Sequence, residues 1–83
     1  MTTVQVRFET DILKTLRRSP EELAEDLRLA AAIHWYALGM ISQGKGAEIA
    51  GLSRSDFIQA LSQRGVSPIQ ETIEEIQEAL GRA

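Results

Sequence analysis

The sequence predicts a mainly α-helical protein that begins with one short β-strand and carries a helix-turn-helix within a helical bundle. Apolar and polar residues alternate over 3–8, helical spacing of apolar residues begins at Pro20, and a glycine divides the amphipathic region 43–62. A chain of 83 residues folds as one small unit with a modest core. We therefore expect a domain over 1–65, an amphipathic helical tail over 66–83, and a binding protein rather than an enzyme.

The composition is that of a folded protein without disulfides. Apolar residues make up 43% of the chain and charged residues 25%, which separates it from disordered chains. Cysteine is absent, so neither a disulfide nor a thiolate metal site can form. The first residues lack the basic and apolar regions of a signal peptide, and the longest apolar stretch, 29–41, falls short of the roughly 20 residues of a membrane helix. We expect a cytoplasmic protein that does not contact membranes.

The predicted strand lacks a clear partner in the sequence. Val4, Val6 and Phe8 alternate with polar residues, as in a strand with one buried face. A lone strand leaves backbone donors and acceptors unpaired, so it must pair with a later strand, a second copy of the chain or another protein. We predict a homodimer to which Val4, Val6 and Phe8 contribute.

A long helix is predicted to begin at Pro20. Ser19 and Glu22 form the pattern of a capping box around a proline in the first helical position. The second half of this helix is apolar around much of its circumference, and a second subunit would supply the cover that such a surface needs. We therefore add Trp35 to the predicted dimer contacts. The residues expected on one buried face are Leu23, Leu27, Ala30, Ala31, His34 and Leu38.

A region near the middle of the chain has the residues that a helix-turn-helix needs at its structural positions. Ala47 is small enough for two helices to cross closely, and Gly51 tolerates the positive φ of the turn. Ser53 and Asp56 then form a capping-box pattern, which starts the second helix at Arg54. The residues expected to face inward are Leu52, Phe57, Ala60 and Leu61.

The outward residues at the start of this second helix are candidates to read bases in the major groove of DNA. Arg54 is the best candidate base reader, while Gln43 and Lys45 are placed to meet phosphates. The predicted DNA-binding residues are Gln43, Lys45, Ser53, Arg54, Ser55 and Gln59. Segment 42–65 is only mildly basic, so weak binding by one copy would have to be compensated by dimerisation.

A second interpretation of the same region is two packed helices joined by a glycine turn. Close crossings at small residues and glycine C-caps are common in proteins that never meet DNA. The net charge of −3 is also unusual for a nucleic-acid binder. The alternative function is then a protein-interaction adaptor without DNA binding.

The tail is predicted to be an amphipathic docking helix. Ile73, Ile76 and Leu80 share one helical face, opposite the glutamates of the same segment. Such a helix can fold back on its own domain or lie in the groove of a partner. We predict these three residues as partner-binding residues, and the acidic face suits the basic cleft of a ribonuclease.

The residue pattern does not point to catalysis, a metal or a cofactor. His34 is the single histidine and lies among apolar residues, which favours a core or interface position over a ligand or a general base. Segment 39–46 comes close to a phosphate-binding loop, but Gly46 stands where that loop needs a hydroxyl to bind the metal. We expect no catalytic residue, no metal ligand and no cofactor.

Several of these pieces together resemble the small prokaryotic uncharacterised protein family 0175. The pieces are Ser19 to Leu23, Tyr36, Gly44-Lys45, Ala47-Glu48, Ala50 to Ser53, Phe57 and Arg64-Gly65. The resemblance implies an antitoxin that regulates transcription and is paired with a PIN-domain ribonuclease toxin. Three features depart from the family pattern, and one of them is His34-Trp35 directly before the tyrosine. The tail from Val66 does not match well, and Gly46 stands where alanine is more common, which is expected to loosen the first helix of the motif.

Overall fold

The computed structural model describes residues 1–68, which contain four helices. Helix α1 spans Thr10–Leu16, α2 spans Pro20–Ala37, α3 spans Gln43–Ala50 and α4 spans Arg54–Gln63. The helical content expected from the sequence is therefore present in this part of the chain. None of these four helices combines the length and the apolar content that crossing a membrane requires.

The predicted N-terminal strand is wrong. Residues 1–9, which we call the N-terminal arm, have no regular secondary structure, and no strand occurs anywhere in residues 1–68. The alternation of Val4, Val6 and Phe8 defines one apolar side of the arm, but a strand also needs backbone hydrogen bonds from a neighbouring strand. Because the described chain supplies no such neighbour, the alternation alone does not produce a strand.

The arm instead contributes to an open apolar groove against α1 and α2. This arm groove is lined by Val6, Phe8, Leu13, Pro20, Leu23, Ala24 and Leu27. No residue before Ala32 is buried, so the whole groove is accessible to solvent. Val4 lies outside the lining and is 81% exposed.

The start of α2 forms as predicted. The hydroxyl of Ser19 accepts a hydrogen bond from the Glu22 amide at 3.1 Å, and the Ser19 amide donates to Glu22 Oε1 at 3.2 Å. Pro20 occupies the first turn, where its missing N–H is not needed. The two reciprocal bonds satisfy backbone groups that a helix start leaves without partners.

The core lies between the second half of α2, α3 and α4. Its buried residues are Ala32, Ile33, Tyr36, Ala47, Phe57 and Leu61. The Tyr36 and Phe57 rings meet edge to face with their centroids 6.0 Å apart, which joins α2 to α4. The predicted burial of Phe57 and Leu61 is confirmed, whereas Leu52 is 36% exposed and Ala60 is half-buried.

The buried face of α2 differs from the predicted one. Leu29, Ala32, Ile33 and Tyr36 face α3 and α4, at the spacing of one helical stripe. Leu27, Ala30, His34 and Leu38 of the predicted face are exposed, so His34 is not a core residue. Both stripes are rich in apolar residues, and the periodicity of one helix does not choose between them. The positions of α3 and α4 make that choice.

Candidate nucleic-acid interface

The turn between α3 and α4 has the conformation that the helix-turn-helix prediction requires. Gly51 lies in the left-handed region with φ of 70°, and its amide donates to the Glu48 carbonyl at 3.2 Å. The Leu52 amide donates to the Ala47 carbonyl at 2.9 Å. These bonds close the last turn of α3 and reverse the chain into α4. The predicted role of Gly51 in the turn agrees with this geometry, and Ala47, which is 5% exposed, lies in the core.

The two helices of the motif touch at Gly46. A Cβ atom at this position would lie 2.5 Å from Cζ and 2.6 Å from Cε2 of Phe57. Both distances are far inside van der Waals contact, so only a glycine lets the Phe57 ring reach the α3 backbone without a shift. Gly46 therefore serves the packing of α3 against Phe57. This packing role, rather than the loosening of α3 expected from the sequence, is the main effect of a glycine at this position.

Serine hydroxyls cap both helices of the motif. Ser42 Oγ accepts from the Lys45 amide at 3.1 Å at the start of α3, and Ser53 Oγ accepts from the Asp56 amide at 3.1 Å at the start of α4. Helix α4 begins at Arg54, as predicted. Each cap satisfies one backbone N–H and leaves others at the helix start available to an acceptor from outside.

A side-chain pair joins the starts of α3 and α4. Arg54, the first residue of α4, donates from Nε at 3.1 Å and from a terminal nitrogen at 3.0 Å to Oε1 of Gln43. Gln43 is the first residue of α3, so the bond places both helix starts on the same side of the molecule. The structure thus brings together two of the residues predicted to bind DNA.

The amide nitrogen of Gln43 is also hydrogen-bonded, on the side away from Arg54. Its Nε2 donates to the carbonyl of Pro68 and, at 3.4 Å, to the hydroxyl of Tyr36. The Tyr36 hydroxyl itself donates to the Pro68 carbonyl at 2.8 Å. Because the Tyr36 ring is part of the core, this group of bonds connects the exposed Arg54 to a rigid interior.

Lys45 lies in the first turn of α3 and is paired. Its ammonium lies 2.9 Å from Oε2 of Glu48, one turn further along α3, and the two side chains are 55% and 70% exposed. An exposed pair of this kind contributes only about 0.2–1 kcal/mol. A phosphate could therefore replace Glu48 as the partner of Lys45 at small cost.

The remaining predicted DNA-binding residues lie on the outer surface of α4. Ser55 and Gln59 are exposed and four positions apart, so they occupy one stripe of the helix. The hydroxyl of Ser53 is engaged in the helix cap. The structure thus gives Ser53 a structural bond and leaves Ser55 and Gln59 open to solvent.

Comparison with known proteins assigns the chain to a family. The profile of the uncharacterised protein family UPF0175 matches residues 1–81. The chain belongs to the UPF0175 family. A UPF0175 protein of Archaeoglobus fulgidus is 40% identical over 74 residues, and one of Aeropyrum pernix is 36% identical over 74 residues. Each alignment covers 89% of this chain and 82% of the relative. A second Aeropyrum pernix member is 32% identical over 60 residues, covering 72% of this chain and 76% of the relative. No solved structure matches significantly.

Two residues of this UPF0175 chain have roles that the sequence reasoning missed. Tyr36 accepts a hydrogen bond from Gln43 and so holds it in place. The sequence signal for a buried Tyr36 was the apolar stripe of α2 that runs from Leu29 to Tyr36. Arg28 donates from Nε to the Ile49 carbonyl at 2.8 Å, at the C-terminal end of α3. This bond ties α2 to the end of α3, but an exposed arginine in a polar stretch carries no sequence signal for it.

Three of the four residues predicted for dimerisation lie on two surfaces. Val6 and Phe8 line the arm groove, while Trp35 is 38% exposed near the end of α2 and outside that lining. Val4 lies outside the lining of the arm groove. Ile73, Ile76 and Leu80, the residues predicted to bind a partner, lie outside the described residues.

Proposed function

We propose that the protein is a DNA-binding transcriptional regulator that acts as a homodimer and, as an antitoxin, binds a PIN-domain ribonuclease. One observation carries the DNA-binding part: the bond between Gln43 and Arg54 holds the starts of α3 and α4 on one exposed side. Two helix starts side by side present backbone N–H groups and the positive ends of two helix dipoles. That combination suits the phosphates of a nucleic acid.

In this interface α4 enters the major groove and α3 crosses the backbone. The groove is about 12 Å wide and admits one helix. Arg54 then meets a base edge, with Ser55 and Gln59 along the same helix. Lys45 meets a phosphate after releasing Glu48. Gln43 takes a different role from the predicted phosphate contact, because both ends of its amide are already engaged.

A second copy of the chain is needed for useful affinity. Around the motif, Lys45, Arg54 and Arg64 are opposed by Glu48 and Asp56, so one copy neutralises few phosphates. Two copies double these contacts, and a helix-turn-helix dimer reads half-sites about 34 Å apart. We assign the arm groove to the second copy, because its apolar lining is open to solvent and it lies outside the motif.

The antitoxin part of the proposal rests on the family resemblance and on the sequence of the tail. Ile73, Ile76 and Leu80 form an apolar stripe beside glutamates, as expected of a helix that binds in a groove. A chain that ends at Pro68 should lose inhibition of a co-encoded PIN-domain ribonuclease while keeping the core. Equal inhibition by the full and shortened chains would remove the tail from the inhibitory surface.

DNA binding is tested by selecting duplexes from a random pool and measuring dissociation constants by fluorescence anisotropy at several salt concentrations. Arg54→Ala should lose about 1–3 kcal/mol on the selected site and relax the sequence preference, while Lys45→Ala should weaken all duplexes alike and lower the salt slope by about one. Lys14→Ala is the matched control, because Lys14 is an exposed lysine on α1 outside the interface.

The adaptor function is the outcome if DNA binding fails. It is favoured by the net charge of −3 and by the ion pair that occupies Lys45. If the wild-type chain, alone or with its co-encoded partner, binds no duplex above random DNA at low salt, the regulator is ruled out. The helix pair is then a protein-interaction surface.

A further inference from the structure

We propose that Gln43 is a positioning residue that presents Arg54 to guanine, and that Tyr36 and the Pro68 carbonyl hold Gln43 in place. This inference rests on the proposed DNA binding and specifies the base that the interface reads. It follows from which edge of the Arg54 guanidinium is occupied and which is free.

The guanidinium carries five N–H groups arranged along two edges. Nε and one terminal nitrogen of Arg54 both donate to Oε1 of Gln43, at 3.1 and 3.0 Å, so the side edge of the group is engaged. The end edge, which presents one N–H from each terminal nitrogen in parallel, remains available. Two parallel donors match O6 and N7 of guanine in the major groove, and no other base presents two acceptors there.

The orientation of the Gln43 amide is determined by what lies behind it. Its nitrogen faces two oxygen atoms, the Pro68 carbonyl and the Tyr36 hydroxyl, and donates to both. A flipped amide would bring Oε1 against the Pro68 carbonyl, which cannot donate. Oε1 must therefore face Arg54, where it accepts.

The anchor of Gln43 is rigid because Tyr36 is part of the core. The Tyr36 ring is 5% exposed and contacts Phe57 of α4, the helix that carries Arg54. The hydroxyl of Tyr36 also donates to the Pro68 carbonyl at 2.8 Å. An arginine held in this way loses less side-chain freedom on binding than a free one, so more of the contact energy appears as preference for guanine.

The test compares binding to two duplexes that differ only by replacing the selected G·C pair opposite Arg54 with A·T. Wild type should prefer guanine by roughly 5- to 150-fold, and Arg54→Ala should abolish the preference. Gln43→Ala should reduce it by about twofold to tenfold and leave the salt slope unchanged. Tyr36→Phe, which keeps the buried ring and removes only the hydroxyl, should shift the preference in the same direction. Gln63→Ala, at the far end of α4, should change nothing.

A second measurement tests, without DNA, whether Gln43 holds the Arg54 side chain in place. In the free protein the Nε–H of Arg54 should exchange with solvent more slowly than that of the exposed Arg64, and Gln43→Ala should remove the difference. Equal exchange of the two arginines in the wild type would overturn the proposal. Melting temperatures of all variants identify any that fail to fold.

The outcomes separate this inference from DNA binding itself. If Arg54 confers a guanine preference that Gln43→Ala leaves intact, the positioning role is wrong and the regulator stands. If Tyr36→Phe lowers stability but changes no preference, the bonds around Pro68 serve the fold alone, and the proposed anchor is wrong. A preference for a base other than guanine opposite Arg54 overturns the proposal as well. Failure of the wild type to bind any duplex rules out the regulator.

Discussion

Ser53 has two candidate roles, one in the structure of α4 and one at the DNA surface. Its hydroxyl accepts a hydrogen bond from the Asp56 amide at 3.1 Å. This bond caps the start of α4. Ser55, two residues later, is equally a serine on the exposed start of α4, but it is not the cap. The two serines therefore form a matched pair in which only one has a structural bond to lose.

Ser53→Ala should lower the free energy of unfolding by about 1 kcal/mol, because it removes the N-cap of α4. Ser55→Ala should change it by less than about 0.5 kcal/mol, as expected at an exposed position without a special role. Urea denaturation of both variants and of the wild type measures the difference. Equal effects of the two substitutions would contradict the capping role of Ser53.

At the level of whole elements, the packing of α3 against α4 depends on the contact between the Gly46 backbone and the Phe57 ring. Gly46→Ala should gain about 0.8–1 kcal/mol of helix propensity but lose about 1–3 kcal/mol through overpacking against Phe57, so it should destabilise the protein. Gly44→Ala is the control on the same helix, since a Cβ at position 44 meets nothing within 4 Å, and it should be neutral or slightly stabilising.

Both glycine variants are compared by urea denaturation. The double variant Gly46→Ala with Phe57→Leu separates the two terms, because a smaller side chain at position 57 removes the clash. Gly46→Ala should then be less harmful than it is in the wild-type background. A Gly46→Ala protein as stable as Gly44→Ala would show that the crossing adjusts freely and that the close approach does not limit stability.

Elements whose determinants are close in sequence were predictable, and those that depend on distant partners were not. The starts of α2 and α4 follow from Ser19 and Ser53, and the turn follows from Gly51, because each signal acts within a few residues. The buried stripe of α2 depends on where α3 and α4 pack, and these helices lie further along the chain. The bond from Arg28 to Ile49, for example, joins residues 21 positions apart. The predicted strand was wrong for the same reason, since strands need partners that an isolated pattern does not supply.

The candidate site was predictable as a set of residues but not as an arrangement. Arg54 was chosen because it starts the second predicted helix, and Gln43 because it was expected to lie near phosphates. The structure places them at the first positions of α4 and α3. Their mutual bond, and the bonds from Gln43 to Tyr36 and Pro68, join residues 7 to 25 positions apart. No local pattern encodes such a bond, because it depends on how the helices cross.

At the scale of the whole molecule, we predict that two copies of the chain associate through the arm groove. Sedimentation at micromolar concentration should show a dimer whose melting temperature rises with protein concentration. Phe8→Asp places a charge in the groove and should yield a folded monomer, whereas Met40→Asp changes an exposed apolar residue outside the groove and should leave the dimer intact. A monomeric wild type would refute the dimer, and dissociation by Met40→Asp alone would move the interface to another surface.

The bonds at Pro68 have a consequence for how the chain can be recombined with other proteins. Val66 packs against the core and its amide donates to the Leu61 carbonyl at 2.9 Å, and the Pro68 carbonyl accepts from Tyr36 and Gln43. A chimera joined directly after the last turn of α4 would discard that acceptor and leave the Gln43 amide nitrogen with the Tyr36 hydroxyl alone. The module that can be transplanted intact therefore extends through residue 68, and tail sequences can be exchanged without disturbing Arg54 only beyond that point.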